Sequence, residues 1–191
     1  MKIISWNVQG LKKPQVVQEI FLLKRKFNPD ILFLLETLVN EKNLLRILPT
    51  LGFDFFDYVL PSDHSGGISV LWCNKSIHAS VLLKEQRAIH MLLYDPVCPQ
   101  MSVVSGIYAP AQVHQKPSFW THPKDLNGVM DSPWCLIGDF NELEHANDKR
   151  GGRILSPSHF DKIIPFKMAF MVRLSNVLVP HLPGRSGYIC I

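Results

Sequence analysis

The chain has 191 residues, enough for one ordinary domain and too few for two large ones. Hydrophobic residues make up 47% and charged residues 19%, a composition that supports a packed core and excludes a disordered chain. The net charge of +4 neither requires nor excludes a polyanionic partner. No apolar run approaches the roughly 18 residues of a membrane span. The four scattered cysteines fit neither a zinc module nor a disulfide framework. We expect a soluble, intracellular protein with no membrane partner.

The first forty residues are predicted to form a strand–helix–strand unit. Residues 2–8 have the composition of a short buried strand, and Pro14 begins an apolar pattern of helical spacing that Asn28 ends. Ile31–Leu35 is a continuous apolar run of strand length. Because neither strand alternates with polar residues, both are expected to be central strands of a sheet.

The middle of the chain is predicted to add a second helix and a series of strands. Apolar residues from Leu44 to Leu51 favour a helix closed by Gly52, and residues 115–130 are weakly helical. The predicted strands are Asp54–Leu60, Ile68–Cys73, His78–Leu83, Ala88–Tyr94, Ser102–Tyr108 and Trp134–Gly138. Two helices followed by a series of strands favour an α/β sandwich over a doubly wound sheet.

Five polar side chains stand where predicted strands end: Asn7, Glu36, Tyr108, Asp139 and Asn141. Residues at strand ends can converge at one rim although they are far apart in sequence. Two carboxylates, two amides and a phenol suit Mg²⁺ rather than zinc. Asp139 can orient an attacking water while Asn141 and Tyr108 donate hydrogen bonds to a phosphate, which is consistent with phosphoester hydrolysis.

Each of these residues also has a structural explanation. Asn7 can cap a turn, and Glu36 can be an ordinary strand end whose carboxylate has some other partner. Tyr108 can be an amphipathic residue at a rim, and Asp139 with Asn141 can form an Asx turn. The occurrence of all five in this order favours the functional explanation.

Six short motifs follow one another along the chain: Ile4–Leu11, Leu35–Thr37, Ser65–Ile68, Ile107–Pro110, Ile137–Glu142 and Asp148–Gly152. Together they resemble the endonuclease/exonuclease/phosphatase superfamily. Within it, the chain is most similar to the apurinic-endonuclease-like domain of plant LINE-type retrotransposon proteins, which carry a reverse transcriptase. The resemblance covers about residues 2–160, and several motifs in order are more specific than any one of them.

The resemblance implies a four-layer, DNase I-like α/β sandwich with a Mg²⁺-dependent (or Mn²⁺-dependent) phosphodiesterase site at one rim of its two sheets. It implies double-stranded DNA as the substrate and a monomer with no protein partner. By the same resemblance Glu36 would ligate the metal with help from Asn7, Tyr108 would contact the scissile phosphate, Asp139 would activate the water and Asn141 would hold a phosphate oxygen.

In LINE elements this activity nicks chromosomal DNA so that reverse transcription can begin at the exposed 3′ end, which would require the nucleus. Arg150 and Arg153 are candidate contacts to the DNA backbone, although a solvated basic turn is the favoured explanation for them.

The pattern of the family fails near the C-terminus, where family members carry a further Asp and a Ser-Asp-His triplet. In this chain no acidic residue follows Asp161, and the only later histidine is His181, which has no carboxylate near it in sequence. Residues 62–64 read Ser-Asp-His, but they lie far from the family's position, and we interpret them as a coincidence.

We therefore divide the chain into a partial endonuclease-like domain, residues 1–160, and a divergent apolar tail, residues 161–191. The tail resembles a truncated or frame-altered continuation, so one sheet is expected to lack closing strands. Two functional hypotheses remain. One is a Mg²⁺-dependent endonuclease, and the other is a catalytically inactive remnant or a non-catalytic DNA-binding fold. A sphingomyelinase-like or inositol-phosphatase-like branch is a third, which the motifs at residues 139–142 and 148–152 disfavour.

Overall fold

The computed structural model describes residues 1–62, 66–74, 77–97, 99–119, 121, 132–141 and 187–190. The strands are β1 (Ile3–Asn7), β2 (Ile31–Leu35), β3 (Phe55–Val59), β4 (Ile68–Trp72), β5 (His78–Glu85), β6 (Ala88–Asp95), β7 (Gln100–Tyr108), β8 (Trp134–Asp139) and β9 (Gly187–Cys190). The helices are α1 (Pro14–Phe27) and α2 (Glu41–Ile47), with 3-10 turns at Leu48–Leu51 and Val113–Gln115. Within the described ranges, no helix is long and apolar enough to cross a bilayer.

The first sheet has the strand order β3-β4-β2-β1-β9. β1 and β2 are parallel, with Ile3 opposite Ile31 and Asn7 opposite Leu35, and the other neighbouring strands are antiparallel. Every residue of β1 and β2 is buried. The predicted strand–helix–strand unit with two central strands is therefore confirmed, and α1 makes the crossover that a parallel pair requires.

Helix α1 covers the outer face of the first sheet. Pro14 stands at its start, where the missing N–H costs no helical hydrogen bond. Asn28 ends the helix in the left-handed conformation, and its N–H donates to the carbonyl of Lys24 at 2.8 Å. The buried apolar stripe of the helix packs on outward-facing sheet residues, and this cluster includes Val16, Ile20, Leu23, Ile4, Leu32, Leu34 and Leu71.

The second sheet has the order β5-β6-β7-β8. β7 and β8 are parallel, with Val103 opposite Trp134 and Tyr108 opposite Asp139, and the other pairs are antiparallel. A register shift between Val81 and Leu83 interrupts the pairing of β5 with β6. Each sheet thus contains one parallel pair of strands, and polar residues stand where the strands of each pair end.

The main core lies between the two sheets. Its buried members from the first sheet include Ile3, Ile31, Phe33, Leu35 and Val70, and those from the second include Ile89, Met91, Leu93 and Val104. The sheets approach closely at Gly106 of β7, where an added Cβ would collide with the ring of Phe33. A side chain at this position would require the sheets to move apart.

The outer face of the second sheet carries the fourth layer. Residues 116–119 are helical, which agrees with the weak helical prediction for residues 115–130; Trp120 and residues 122–130 lie outside the described residues. Phe119 and Phe140 pack against Ala88, Ile107 and Ala109 on this face. The fold is therefore the expected α/β sandwich, with two mixed sheets between flanking helices.

Strand β9 is not predicted by the sequence analysis, because prolines and glycines interrupt the last dozen residues. In the structure Gly187–Cys190 pairs antiparallel with β1 and forms one edge of the first sheet. The proposed boundary at residue 160 and most of the tail lie outside the described residues.

Candidate active site

The five predicted site residues lie at the ends of four strands. Asn7 ends β1, Glu36 follows β2, Tyr108 ends β7 and Asp139 ends β8, with Asn141 two residues beyond. β1 runs parallel to β2, and β7 runs parallel to β8. The C-terminal ends of the two strands in each pair therefore lie side by side, at the same end of the sheet. We call these five residues the rim cluster.

Two hydrogen bonds between the sheets bring the rim cluster together. The Nδ2 atom of Asn7 donates to Oδ2 of Asp139 at 2.9 Å, which joins β1 to β8. The hydroxyl of Tyr108 donates to Oε1 of Glu36 at 2.8 Å, which joins β7 to the end of β2. Asn7 and Tyr108 are buried, only 3% and 8% exposed, so the donor of each bond is shielded from solvent.

The turn after β8 is held by hydrogen bonds at both of its ends. The backbone N–H of Asn141 donates to Oδ1 of Asp139 at 2.9 Å, so these residues form the Asx turn that was their alternative, structural explanation. Its side-chain Nδ2 donates to the carbonyl of Ala109 at 2.7 Å, and its own carbonyl accepts from Nζ of Lys116 at 2.6 Å. Since both Asp139 oxygens accept hydrogen bonds, the carboxylate is fixed in orientation.

Asn7 has a structural role as well, because its Oδ1 accepts from the backbone N–H of Gln9 at 3.2 Å. Gln9, Glu36 and Asn141 have φ values of 48°, 53° and 48°, in the left-handed region that side chains other than glycine seldom occupy. Such backbone strain persists only where surrounding contacts hold it, and it concentrates at functional sites. Because asparagine tolerates this region, as Asn28 does at the end of α1, the strained residues beside the rim are Gln9 and Glu36, and they are a second indication of function.

Gly66 and Gly67 pack against the rim cluster. An added Cβ at Gly67 would collide with Oγ1 of Thr37, the residue after Glu36, and one at Gly66 would lie 3.9 Å from the ring of Tyr108. The carbonyl of Gly67 accepts from the N–H of Thr37 at 3.2 Å. The predicted glycine motif thus supports the strained turn that carries Glu36.

Tyr108 is a neutral hydrogen-bond donor. Burial, then its hydrogen bond to Glu36, raises the pKa of the phenol well above its ordinary value, and the charges of Glu36 and Asp139 act in the same direction. The nearby Arg87 guanidinium opposes them. The phenol therefore keeps its proton throughout the neutral range.

Two basic residues beside the site are absent from the sequence predictions. The guanidinium carbon of Arg87 lies 5.6 Å from the centre of the Tyr108 ring, and Lys116 is only 8% exposed. The one usable signal for Arg87 is its position in the turn before the apolar strand β6. Nothing in the local sequence distinguishes Lys116 from a solvated helical lysine.

The donor set of the rim cluster fits a hard divalent cation. Glu36 and Asp139 supply carboxylate oxygens and Asn7 an amide oxygen, the ligands that Mg²⁺ prefers. In the described part of the chain Glu36 forms no ion pair, and its second oxygen has no hydrogen-bond donor. Among the described residues, no three His, Cys, Asp or Glu side chains are grouped so that they could together hold a metal ion. A metal here would therefore keep water ligands, which is usual for Mg²⁺.

Four further candidates are not located. Arg150, Arg153 and His181 lie outside the described residues, as do the last two residues of the Ser-Asp-His triplet at 62–64.

The chain belongs to the Endonuclease/Exonuclease/phosphatase family, whose profile matches residues 4–187. Members of this family are phosphodiesterases and nucleases, and they generally use divalent metal ions. The DNase I-like sandwich and the rim position of the polar cluster agree with that membership. No curated protein sequence matched the chain.

Several solved structures share the fold. The AP endonuclease LMAP from Leishmania major is 18% identical, with a TM-score of 0.64, and the match covers 87% of this chain and 66% of the LMAP chain. The human Nocturnin catalytic domain is 15% identical with a TM-score of 0.52, covering 75% and 64%. Truncated TDP2 from Caenorhabditis elegans is 16% identical with a TM-score of 0.50, covering 81% and 66%. The chain thus spans just under two thirds of each of these three structures.

Proposed function

We propose that this protein is a Mg²⁺-dependent phosphodiester hydrolase of the endonuclease class that nicks double-stranded DNA. The observation that carries the proposal is the pair of hydrogen bonds across the sheets, Asn7 to Asp139 and Tyr108 to Glu36, in a member of a family of phosphodiesterases and nucleases. Nucleic-acid chemistry of some kind is also supported by the AP endonuclease among the similar structures.

Glu36 would hold the metal, Mg²⁺ or Mn²⁺, with Asn7 arranging the site. When bound, the metal would supply positive charge against a phosphate oxygen. Asn7 contributes by holding Oδ2 of Asp139 in place. The activation of water and the contacts to the phosphate would be made by Asp139, Tyr108 and Asn141.

Asp139 would orient the attacking water and accept its proton, because its carboxylate is held from both sides. Attack on phosphorus would break the bond to the 3′ oxygen, which would take a proton from solvent, and the products would be a 3′ hydroxyl and a 5′ phosphate. The neutral phenol of Tyr108 would contact the scissile phosphate, and the second N–H of the Asn141 amide would donate to a phosphate oxygen.

The motifs quoted from the sequence support the finer proposal that the chain derives from the endonuclease domain of a plant LINE-type retrotransposon. That proposal keeps residues 1–160 as the endonuclease-like domain and 161–191 as a divergent tail, and a monomer as the working state. A nuclear location would follow from the life cycle of such an element.

The test is nicking of supercoiled plasmid by the purified chain, with Mg²⁺ and with EDTA. Asp139→Ala should lower the rate by about a hundredfold or more, because a positioned general base contributes rate factors of that size. The matched control is Asp54→Ala, at an exposed residue remote from the rim. Circular dichroism of each variant confirms folding.

The alternative is a catalytically inactive remnant or a non-catalytic DNA-binding fold. It is favoured by the sequence after Asp161, which has no acidic residue and His181 as its only histidine. A wild-type protein that folds cooperatively and yet nicks no plasmid would overturn the enzyme proposal in favour of this one. Retained DNA binding would then separate the binding fold from a remnant.

A further inference from the structure

A groove of about 470 Å³ lies next to the rim cluster. One side is the turn between β5 and β6, and the other is the segment that follows β7. It is lined by Glu85, Gln86, Arg87, Pro110, Gln115, Ser118 and Phe119. This volume is within the range of about 300–1,000 Å³ that is typical of small-molecule sites.

The groove begins where the rim cluster ends. The carbonyl of Arg87 accepts from the backbone N–H of Tyr108 at 3.0 Å, and the Arg87 guanidinium lies over the Tyr108 ring. Pro110 follows Ala109, whose carbonyl accepts from Asn141. A strand of substrate whose phosphate lies at Tyr108 and Asn141 would therefore pass beside the groove.

The lining combines an apolar surface with a few polar groups. Phe119 and Pro110 supply the apolar surface, and Phe119 is held by packing on Ala88 and Ile107. Gln86, Gln115 and Ser118 supply hydrogen-bonding groups. Aromatic surface with amide and hydroxyl groups suits the face and the edges of a nucleobase.

The groove is lined by one positive and one negative side chain, Arg87 and Glu85. Arg87 lies at the end nearest Tyr108, where its guanidinium can bind a phosphate. Glu85 also lines the groove, with its Oε2 3.5 Å from Nε2 of the buried His90. This carboxylate disfavours a second phosphate inside the groove and can accept hydrogen bonds from a base amino group.

We propose that the groove binds the unstacked nucleotide next to the scissile phosphate of a nucleic-acid strand, with its phosphate at Arg87 and its base against Phe119. This rests on the proposed function for the position of the scissile phosphate. It extends that function by naming an unpaired nucleotide as the part of the substrate that the protein recognises.

The experiment measures binding without turnover. A fluorescein-labelled deoxyadenosine hexamer is titrated with protein in EDTA, and the dissociation constant is read from anisotropy. Arg87→Met removes the phosphate contact, and Ser118→Trp fills the groove from its exposed rim. Each should raise the dissociation constant about tenfold, the size expected for losing one charge-assisted phosphate contact or one stacked base. The matched controls Arg46→Met and Ser80→Trp, exposed residues outside the groove, should change it less than twofold.

A hexamer of abasic deoxyribose phosphates separates base recognition from backbone binding. It should bind the wild type about tenfold more weakly than the base-containing hexamer, and Ser118→Trp should cause no further loss. Equal binding of both hexamers by the wild type, or equal binding of the base-containing hexamer by wild type and Ser118→Trp, would overturn the groove proposal. So would the absence of any binding.

Plasmid nicking in Mg²⁺, measured in parallel, keeps the two proposals distinct. Groove-dependent binding without nicking contradicts the hydrolase and retains the nucleotide site. Nicking by the wild type, together with hexamer binding that the groove variants leave unchanged, retains the hydrolase and removes the groove.

Discussion

The rim cluster differs in one instructive way from a second polar cluster, His90, Ser105 and Trp134, which lies on the outer face of the second sheet and which we call the buried cluster. Nδ1 of His90 pairs with Oγ of Ser105 at 2.6 Å, and Nε1 of Trp134 donates to the same oxygen at 2.7 Å. With Glu85 beyond His90, the order is carboxylate, imidazole, hydroxyl. That order also occurs in nucleophilic catalytic sites.

Position and access separate the two clusters. Ser105 is 0% exposed and lies within a regular strand, so no substrate can reach its hydroxyl, which already accepts from Trp134. The rim cluster stands at strand ends, with strained backbone at Glu36. The comparison teaches that residue type alone does not distinguish the two clusters, whereas access and strand-end position make the rim cluster the better candidate for a site.

The largest expected effect is in the rim cluster. Glu36→Gln keeps the shape of the side chain but removes its charge, so the metal would lose its carboxylate, and nicking should fall by about a thousandfold. The stabilisation of the wild type by Mg²⁺ in thermal unfolding should also disappear. Glu41→Gln is the matched control, because Glu41 likewise accepts from a tyrosine hydroxyl, that of Tyr58 at 2.6 Å, on the exposed surface. Equal loss in both variants would contradict a specific role for Glu36.

In the buried cluster the expected effect is on stability alone. Ser105→Ala removes the partner that His90 and Trp134 share, and the free energy of unfolding in urea should fall by about 1–3 kcal/mol. The nicking rate per folded molecule should stay within twofold of the wild type. Ser80→Ala, at an exposed serine, should leave stability unchanged. A large loss of rate in folded Ser105→Ala would abolish the distinction between the two clusters.

Lys116 tests how the rim cluster is supported. Lys116→Met removes the donor to the Asn141 carbonyl, so the turn that carries Asp139 and Asn141 loses one restraint, and the nicking rate should fall about tenfold. Because the effect acts through position, Lys116→Arg should recover most of the rate and Lys116→Met should retain the wild-type pH profile. A fall in rate that Lys116→Arg does not recover would count against this role.

The smallest effect is the pH dependence of Tyr108. Since its pKa is raised in the folded state, the contribution of the phenol is complete below its unfolded pKa of about 10 and is lost as the pH rises above it. The stability difference between wild type and Tyr108→Phe should therefore be constant from pH 7 to 9 and fall by about 1 kcal/mol by pH 11. Urea denaturation at each pH measures it. A change between pH 7 and 9 would contradict the raised pKa.

The sequence predicts the parts of this molecule that depend on local pattern. Ile31–Leu35 and Trp134–Gly138 are apolar runs whose strands follow from composition, and Pro14 and Asn28 mark α1 by their backbone preferences. The strand-end position of Asp139 likewise follows from the run that precedes it. These are effects of neighbouring residues, which a single sequence contains.

The parts that depend on distant contacts could not be predicted. Arg87 is placed beside Tyr108 by the pairing of β6 with β7, and Lys116 is buried by its contact with Asn141. Strand β9 pairs with β1, which lies far from it in sequence, although prolines and glycines interrupt the residues around β9. Register and burial of this kind follow from tertiary packing, which overrides local preference.

The close approach of Gly106 to Phe33 has a consequence for the rim cluster. Both hydrogen bonds of the rim cluster cross from one sheet to the other, so their lengths depend on how thick the core is between them. A methyl group at Gly106 would wedge the layers apart and lengthen both bonds at once. The separation of the sheets, set deep in the interior by the smallest side chain, is therefore a quantity on which stability and the geometry of the rim cluster depend together.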